Sequence, residues 1–516
     1  MKLKKFNLAL KRIAIMGLLI VSLVISGCSS SAATVVNTGD KDDTSVVAES
    51  TSDALSEPSY AHFFTEDEVH SIDINIDKGD WEAMLADPTA EEYYEANITV
   101  DGVTLSDVAF RTKGNMTLQS VAQSDSDRYS FKINAGKYVD DQTLEGLDEF
   151  VLNNMYTDAS YMREYLSYKA MAAQGMTVPL ATYVKVSIND EYFGFYLMVE
   201  SVDDSFLEHT FGDNDGNLYR MDEGSTLSIE NGEIDMNPSQ KNGDDESLED
   251  LTKLVETLNA MPEGETGDIE SVLDVESALK YIAANTVLSN YDSYQGNHNQ
   301  NYYLYNDGGI FKVIPWDYNM SFGGFGSEVL TDIDIEAPVS GISSAELPLV
   351  DHLLAVEAYN EAYKSYLNDF MTYFDDFELQ VSKLADLIGP YVENDPTAFT
   401  SYDDFLYQIS YQENYVTTAS SGRVSLDSVP SQDQTTEVDG SPQEMPPTTD
   451  ANSSASEMAP RDDRGRDVNG NAKIIPPLDG QLNEAGRDKP GGMTSNVPLV
   501  NNLVDRLNAI ASQLQE

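Results

Sequence analysis

The chain has 516 residues, enough for one large domain or two together with flexible segments. Its formal net charge is −59, with 89 acidic against 30 basic residues, and such a surface repels nucleic acid and anionic lipid. This charge argues against a nucleic-acid partner, and any nucleotide site must gather positive charge locally. Because Cys28 is the single cysteine, no internal disulfide stabilises the chain.

The N-terminus has the pattern of a lipoprotein signal peptide. Basic residues precede an uncharged, mostly apolar stretch at 13–26, which is shorter than the roughly 20 residues of a spanning helix. It ends in VISGC at 24–28, which resembles the bacterial lipobox and implies lipid attachment to Cys28. A secreted protein cut near residue 32 is the alternative. We predict a signal peptide at 1–27 and a lipid anchor on the outer face of the cell membrane of a Gram-positive bacterium.

Two polar segments flank the region with ordered patterning. Residues 28–60 and 421–495 are poor in large apolar side chains, so they cannot bury enough surface to fold alone. We predict that the first is a disordered tether and the second a disordered insertion. Apolar residues at spacings of three and four then predict a helix within 496–516, which packs back on the main domain at 61–420.

Strand patterns come first in the main domain. Residues 70–77 and 129–134 alternate apolar and polar side chains, as half-buried strands do. Hairpins are predicted at 96–105, through an Asp-Gly turn, and at 183–199, through an Asn-Asp turn.

Helical patterns follow in the second half. A helix is predicted over 160–174 behind a cap at Asp158, a second after Asp274 to about residue 290, and several within 348–415. Strands first and helices later predict an α+β fold with two lobes, strand-rich in the N-terminal half and helix-rich in the C-terminal half.

The residues that point to chemistry lie just after the second helix. Asp292 follows its end, and a hairpin is predicted from strands at 301–305 and 310–315. If residues 305 and 310 pair, the hairpin brings Asp317 back near His298 and so beside Asn297.

Two carboxylates and an amide suit a hard cation such as Mg²⁺, which prefers oxygen ligands. In phosphoryl transfer a carboxylate also orients the acceptor hydroxyl and takes its proton. The spacing from Asp292 to Asn297 equals that of the protein-kinase catalytic loop. A polar surface hairpin is the alternative, and the local pattern alone favours neither.

Several motifs, taken in order, resemble the spore coat protein H (CotH) kinase family, a set of secreted atypical kinases. The resemblance covers most of 65–420 and extends to the last helix. It is carried by RTKGN at 111–115, SFK at 130–132, NN at 153–154, MREYLSY at 162–168, GFYLMVESVD at 194–203, GNLY at 216–219, and the 290–324 block with YYLY at 302–305 and IPWDYN at 314–319.

The resemblance implies a kinase-like fold and ATP-dependent phosphorylation of Ser or Thr on a secreted or surface protein, with Mg²⁺ or Mn²⁺. Carried over residue by residue, it implies these roles: Asp292 as base, Asp317 and Asn297 as metal ligands, Lys132 paired with Glu164 on the α- and β-phosphates, Arg111 and Lys113 on phosphates, and backbone groups near Glu200 and Ser201 on adenine.

The chain departs from ordinary kinases, since no G-x-G-x-x-G precedes Lys132 and Asn-Tyr stands before Asp292 instead of His-Arg. Phosphate binding must therefore differ from the usual glycine-rich flap. Two alternatives stay open: a catalytically inert surface binding or adhesion protein on the same fold, and nucleotidyl transfer from ATP.

Overall fold

The structure is a computed structural model, and all its described residues belong to the second of two units, Met1–Ala54 and Leu55–Glu516. The predicted signal peptide, Cys28, most of the tether and the insertion at 421–495 lie outside the described residues. Strands and helices both occur, which confirms the α+β class. The described residues are 57–243, 247–325, 330–413 and 497–515.

Seven strands form a closed barrel, and they are β1 (His70–Ile76), β2 (Tyr94–Val100), β3 (Val103–Lys113), β4 (Ser130–Asn134), β5 (Glu149–Asn153), β6 (Ala181–Ile188) and β7 (Glu191–Glu200). Their order is β1-β2-β3-β4-β5-β7-β6, and parallel pairing of β6 with β1 closes the barrel. The predicted strands and both hairpins are confirmed. The turn residues Asp101-Gly102 and Asn189-Asp190 all have positive φ, as a type I′ turn requires.

Alternation along the barrel strands separates an apolar interior from a polar outer face. Phe110 and Phe131 are fully buried in the barrel core. By this alternation Arg111, Lys113 and Lys132 lie on the outer face of the barrel. Arg111 is paired directly across from Lys132. The outer face of β3 and β4 therefore carries three cations.

The second half adds β8 (Asn217–Met221), β9 (Ser228–Glu230), β10 (Glu233–Asp235), β11 (Pro238–Asn242), β12 (Tyr302–Asp307) and β13 (Ile310–Pro315). Four of them form a sheet in the order β11-β8-β12-β13, and β9 pairs with β10. The β12–β13 hairpin is confirmed, but its predicted register is wrong. Tyr305 pairs with Lys312, because β12 continues to Asp307 and only Gly308 and Gly309, both with positive φ, make the turn.

The helices are α1 (Lys78–Ala86), α2 (Met116–Ala122), α3 (Arg163–Ala173), α4 (Asp204–Phe211), α5 (Glu249–Asn259), α6 (Val275–Val287), α7 (Pro348–Ala355), α8 (Glu357–Tyr373), α9 (Phe377–Glu393), α10 (Tyr402–Gln408) and α11 (Leu499–Gln513). Short 3₁₀ helices occupy Ala61–Phe64, Pro88–Ala90, Ile269–Ser271, Leu330–Asp332, Ser344–Glu346 and Phe374–Asp376. None of the described helices is long and apolar enough to cross a membrane.

Two helix starts follow from their caps. α6 begins as predicted, because the Asp274 carboxylate accepts a hydrogen bond from the Ser277 N–H. α3 begins later than predicted, at Arg163. The Asp158 carboxylate accepts from the N–H groups of Ser160 and Arg163 and so holds an irregular turn before the helix.

Helix α11 contacts the segments on either side of the predicted catalytic block. Arg506 is fully buried, and its guanidinium donates to the carbonyl oxygens of Thr286 in α6 and of Thr331 and Ile333. Hydrogen bonds in both directions join the Asn501 side chain to the backbone of Gln412.

Candidate active site

The loop after β13 places Asp317 between the barrel and the four-stranded sheet. Its backbone is left-handed, with φ +57°, and its N–H donates to the Tyr168 hydroxyl at 3.1 Å. Its Oδ1 atom is buried without a hydrogen-bond partner among the described residues. Burial raises the pKa of Asp317, and the cations Lys113 and Arg220 oppose that rise. This oxygen is therefore available to a bound cation.

Asp292 lies on the loop that follows α6. Gln300 donates to its Oδ1 atom, and the Asn301 side chain donates to its carbonyl oxygen, both at 2.8 Å. Burial raises the pKa of Asp292 to about 6, and the negative charge of Asp317 adds to the rise. Asp317 is thus close enough to disfavour the ionisation of Asp292, and a cation bound beside them would relieve that repulsion.

A chain of hydrogen bonds connects the barrel to α3. Lys113 Nζ donates to Asn153 Oδ1 at 3.1 Å, and Asn153 Nδ2 donates to Glu164 Oε2 at 2.8 Å. Glu164 is only 3% exposed. Burial raises its pKa to about 8, the charge of Asp317 adds to this, and Lys113 opposes it. Burial also lowers the pKa of Lys113, against the attraction of Asp317 and Glu164.

The predicted pairing of Lys132 with Glu164 is wrong. Lys132 Nζ lies 2.5 Å from Glu149 Oε1, on the neighbouring strand β5. The lysine linked to Glu164 is Lys113, through Asn153. Lys113 is the last residue of β3, and it reaches past the strand end towards α3, whereas Lys132 lies within the sheet beside a closer carboxylate.

Three further cations surround this region. Arg111 donates to Glu91 Oε2 at 2.6 Å, so an ion pair already balances its charge. Arg220, on β8, forms a 2.7 Å ion pair with Asp222 and lies near Asp317. Burial lowers the pKa of Lys241, on β11, and the charges of Arg220 and Lys132 contribute to the lowering. Arg220 and Lys241 were not predicted.

Asn297 lies on the loop between Asp292 and β12. Its side chain is exposed and lies against Gly341, and no hydrogen bond joins it to Asp292 or Asp317 among the described residues. The neighbouring His298 Nδ1 atom lies 2.7 Å from Glu223 Oε1. The role of Asn297 as a metal ligand therefore stays a prediction.

The backbone N–H groups predicted to hold adenine already have partners. Glu200 N–H donates to the Leu180 carbonyl, and Ser201 N–H donates to the Glu149 carbonyl. The Glu200 carboxylate is fully buried and accepts hydrogen bonds from the Tyr60 hydroxyl, at 2.6 Å, and from the Leu180 N–H. These two N–H groups are therefore engaged within the fold, and the prediction that backbone groups near Glu200 and Ser201 hold adenine stays a prediction. The Glu200 side chain anchors the residues before β1.

Comparison with known proteins identifies the family to which this region belongs. A family model described as CotH kinase protein matches residues 110–424. The chain belongs to the CotH kinase protein family. It is also similar to the inner spore coat protein H of Bacillus subtilis (strain 168), with 26% identity over 267 residues, which cover 49% of this chain and 72% of that protein.

The family match includes every residue to which the resemblance gave a role. It begins inside β3, at Phe110, and leaves β1 and β2 outside, although both strands belong to the same barrel. The match is therefore narrower than the expected 65–420 at its N-terminal end.

The site around Asp317 has a small number of oxygen donors that fit a Mg²⁺ or Mn²⁺ ion. The described residues contain no group of three or more His, Cys, Asp and Glu side chains placed to hold a metal. Mg²⁺ in phosphoryl-transfer sites commonly takes only one or two carboxylates, together with phosphate oxygens. The unpartnered Oδ1 of Asp317 and the nearby carboxylate of Asp292 meet that requirement.

Sequence reasoning assigned no role to four residues that the fold brings to this site. Asn153 and Tyr168 lie inside the motifs that resemble the CotH family, and that position was the available signal. Arg220 directly follows the GNLY motif, but Lys241 is marked by no local pattern. Pairing of β11 with β8 is what brings Lys241 close to Arg220.

Proposed function

We propose that this CotH family protein is an extracytoplasmic kinase that transfers the γ-phosphoryl group of ATP to Ser or Thr of a secreted or surface protein. The observation that carries the proposal is the buried Oδ1 atom of Asp317, which has no hydrogen-bond partner among the described residues and lies near Asp292 and the cations Lys113 and Arg220. The relative's name assigns that protein to the inner spore coat, which supports a surface or coat association.

Each aspartate has a distinct role in this proposal. With a pKa of about 6, Asp292 is ionised at neutral pH and accepts the proton of the acceptor hydroxyl. Asp317 would hold a divalent ion through its unpartnered Oδ1 atom. Such an ion would supply neutralisation of phosphate charge.

The cations hold the remaining phosphate charge. Lys113 has its ammonium at the end of β3, where Asn153 and Glu164 orient it, so it takes the role first given to Lys132. Arg220 lies near Asp317, and Lys241 lies near Arg220, so the four-stranded sheet supplies positive charge beside the site. In the two-lobed arrangement that we propose, the barrel is one lobe and the helical half the other.

The test is incubation of the purified protein with labelled ATP and Mg²⁺ or Mn²⁺, with a generic protein acceptor. We expect transfer in the wild type and its loss in Asp317→Asn and Asp292→Asn. Asp351→Asn, which changes a half-buried aspartate on α7, is the matched control and should retain activity. No transfer by the wild type, or equal transfer by Asp317→Asn, would refute a kinase.

The same reaction distinguishes the open alternatives. The intact mass of the product separates added phosphate from added AMP, and added AMP would favour nucleotidyl transfer. Tight binding to a surface polymer that is unchanged by Asp292→Asn, without any transfer, would favour an inert adhesion protein.

The lipid anchor is a separate part of the proposal. Cys28 lies outside the described residues, so its support is the sequence pattern alone. We expect Cys28→Ser to move the protein from the membrane fraction to the medium and to abolish labelling by a fatty acid. Retention of Cys28→Ser in the membrane fraction would contradict the anchor.

A further inference from the structure

Tyr168 is a buried residue of α3 that stands between Glu164 and Asp317. It is 2% exposed, and its hydroxyl is the only part of its side chain that forms hydrogen bonds. The hydroxyl donates to Glu164 Oε1 at 3.3 Å and accepts from the Asp317 N–H at 3.1 Å. One donor and one acceptor are used, which matches what a phenol hydroxyl offers.

The Asp317 backbone needs such a partner. Its φ of +57° lies in the left-handed region, which costs an L-residue with a Cβ atom free energy unless the surroundings hold it. The N–H that Tyr168 accepts belongs to this same residue, so the hydrogen bond acts directly on the strained conformation. The side chain it orients ends in the unpartnered Oδ1 atom.

The contacts continue on both sides of the hydroxyl. Towards the barrel, Glu164 accepts from Asn153, which in turn accepts from Lys113. Towards the helical half, the Tyr168 ring contacts Tyr318, with ring centroids 5.9 Å apart. A continuous path of contacts thus joins Lys113 of the barrel to Tyr318, the residue just after Asp317.

We propose that Tyr168 is a positioning residue. Its hydroxyl fixes the Asp317 backbone so that the Asp317 carboxylate faces the divalent ion, and it holds that backbone in a constant position relative to Glu164. This inference rests on the proposed function only in its expectation that Tyr168 affects phosphoryl transfer. The hydrogen bond and its effect on the affinity for the ion are properties of the folded protein, and they can be measured without turnover.

The test uses the full chain carrying Tyr168→Phe, which removes one oxygen atom and keeps the ring. The matched control is Tyr196→Phe. Tyr196 is also fully buried, and its hydroxyl donates to the Tyr129 carbonyl inside the barrel, away from the site. Both variants lose one buried hydroxyl, so both should lose a similar amount of thermal stability.

Two measurements separate a positioning role from a merely structural one. The first is the affinity for Mn²⁺ in the presence of a non-hydrolysable ATP analogue, followed by electron paramagnetic resonance of the free ion. We expect Tyr168→Phe to weaken it about 10- to 100-fold, the usual effect of removing a partner that orients a ligand. The second is hydrogen exchange of peptides containing Asp317, which should become faster in Tyr168→Phe alone.

Equal Mn²⁺ affinity of Tyr168→Phe and the wild type, including no binding by either, would overturn the proposal. Equal loss of affinity in Tyr196→Phe would also overturn it, since the effect would then come from general destabilisation. A wild type that binds Mn²⁺ more tightly than Tyr168→Phe but transfers no phosphoryl group would support the positioning role and refute the kinase. The two failures are therefore distinguishable.

Discussion

Replacing Lys113 by methionine tests which lysine of the barrel grips the nucleotide. The variant removes the ammonium group and keeps most of the apolar stem. Lys113 is half-buried and oriented by Asn153 at 3.1 Å, so its bond to a phosphate oxygen would be a charge-assisted one. Such bonds contribute about 1.5–3 kcal/mol, and about 1.4 kcal/mol corresponds to a factor of ten. We therefore expect kcat/KM for ATP to fall about 10- to 150-fold.

The comparison variant removes the other lysine together with its partner. Lys132→Met combined with Glu149→Gln deletes an ion pair and leaves the net charge unchanged. Because each of these two charges is already balanced by the other, we expect kcat/KM for ATP to change less than about fivefold. The assay is steady-state phosphoryl transfer at saturating acceptor and Mg²⁺, with ATP varied.

The stability of Lys113→Met should move in the opposite direction to its activity. Burial lowers the pKa of Lys113 in the folded protein, which means that the charged lysine costs folding free energy at neutral pH. The variant should therefore be at least as stable as the wild type in urea unfolding. A fully active Lys113→Met would refute the assignment of Lys113 as the lysine that binds the nucleotide. A larger loss of kcat/KM in the double variant at Lys132 and Glu149 would also refute it.

Three further predictions concern stability and pH. Burial raises the pKa of Asp292 to about 6 and that of Glu164 to about 8, above their ordinary values. The stability that these two carboxyls contribute is therefore present in acid and is lost as the pH rises through those values. Urea unfolding without metal should show this loss of stability, and Glu164→Gln should weaken the pH dependence. Arg506→Met leaves the buried carbonyl oxygens of Thr286 and Thr331 without this donor, and it removes one of two donors to the half-buried Ile333 carbonyl. It should lower the free energy of unfolding by about 2 kcal/mol or more, measured by urea titration. Tyr60→Phe removes a 2.6 Å hydrogen bond to the buried Glu200 and should cost about 1.5–3 kcal/mol while leaving KM for ATP unchanged.

Each of these has a clear contrary result. Stability that rises steadily from pH 4.5 to 8 would contradict the raised pKa values of the two carboxyls. An Arg506→Met protein as stable as the wild type would show that α11 contributes little to the fold. A large rise of KM for ATP in Tyr60→Phe would indicate that the surroundings of Glu200 contribute to nucleotide binding.

Local chemistry explains what the sequence predicted well. Asp101-Gly102 and Asn189-Asp190 adopt positive φ at little cost, so both hairpins could be identified from a few residues. The cap at Asp274 likewise fixed the start of α6, and with it the approximate place of Asp292. These features depend on neighbours along the chain.

The prediction that Lys132 pairs with Glu164 failed, and Lys241 was missed, because their positions depend on strands from distant parts of the chain. Alternation puts Arg111, Lys113 and Lys132 on one face, but it does not say which of them has a carboxylate beside it. Glu149 decides this, and it reaches Lys132 only through the pairing of β5 with β4. Lys241 approaches the site by the same kind of long-range pairing.

The contacts of Arg506 bear on when the protein can become active. It bonds to Thr286 and Thr331 across 220 and 175 residues of chain. During synthesis α6 and the loop after Asp317 therefore exist long before the residue that ties them together. If the predicted signal peptide directs export of an unfolded chain, these bonds form only after residue 506 has crossed the membrane. The site that we propose would then lack this support before export.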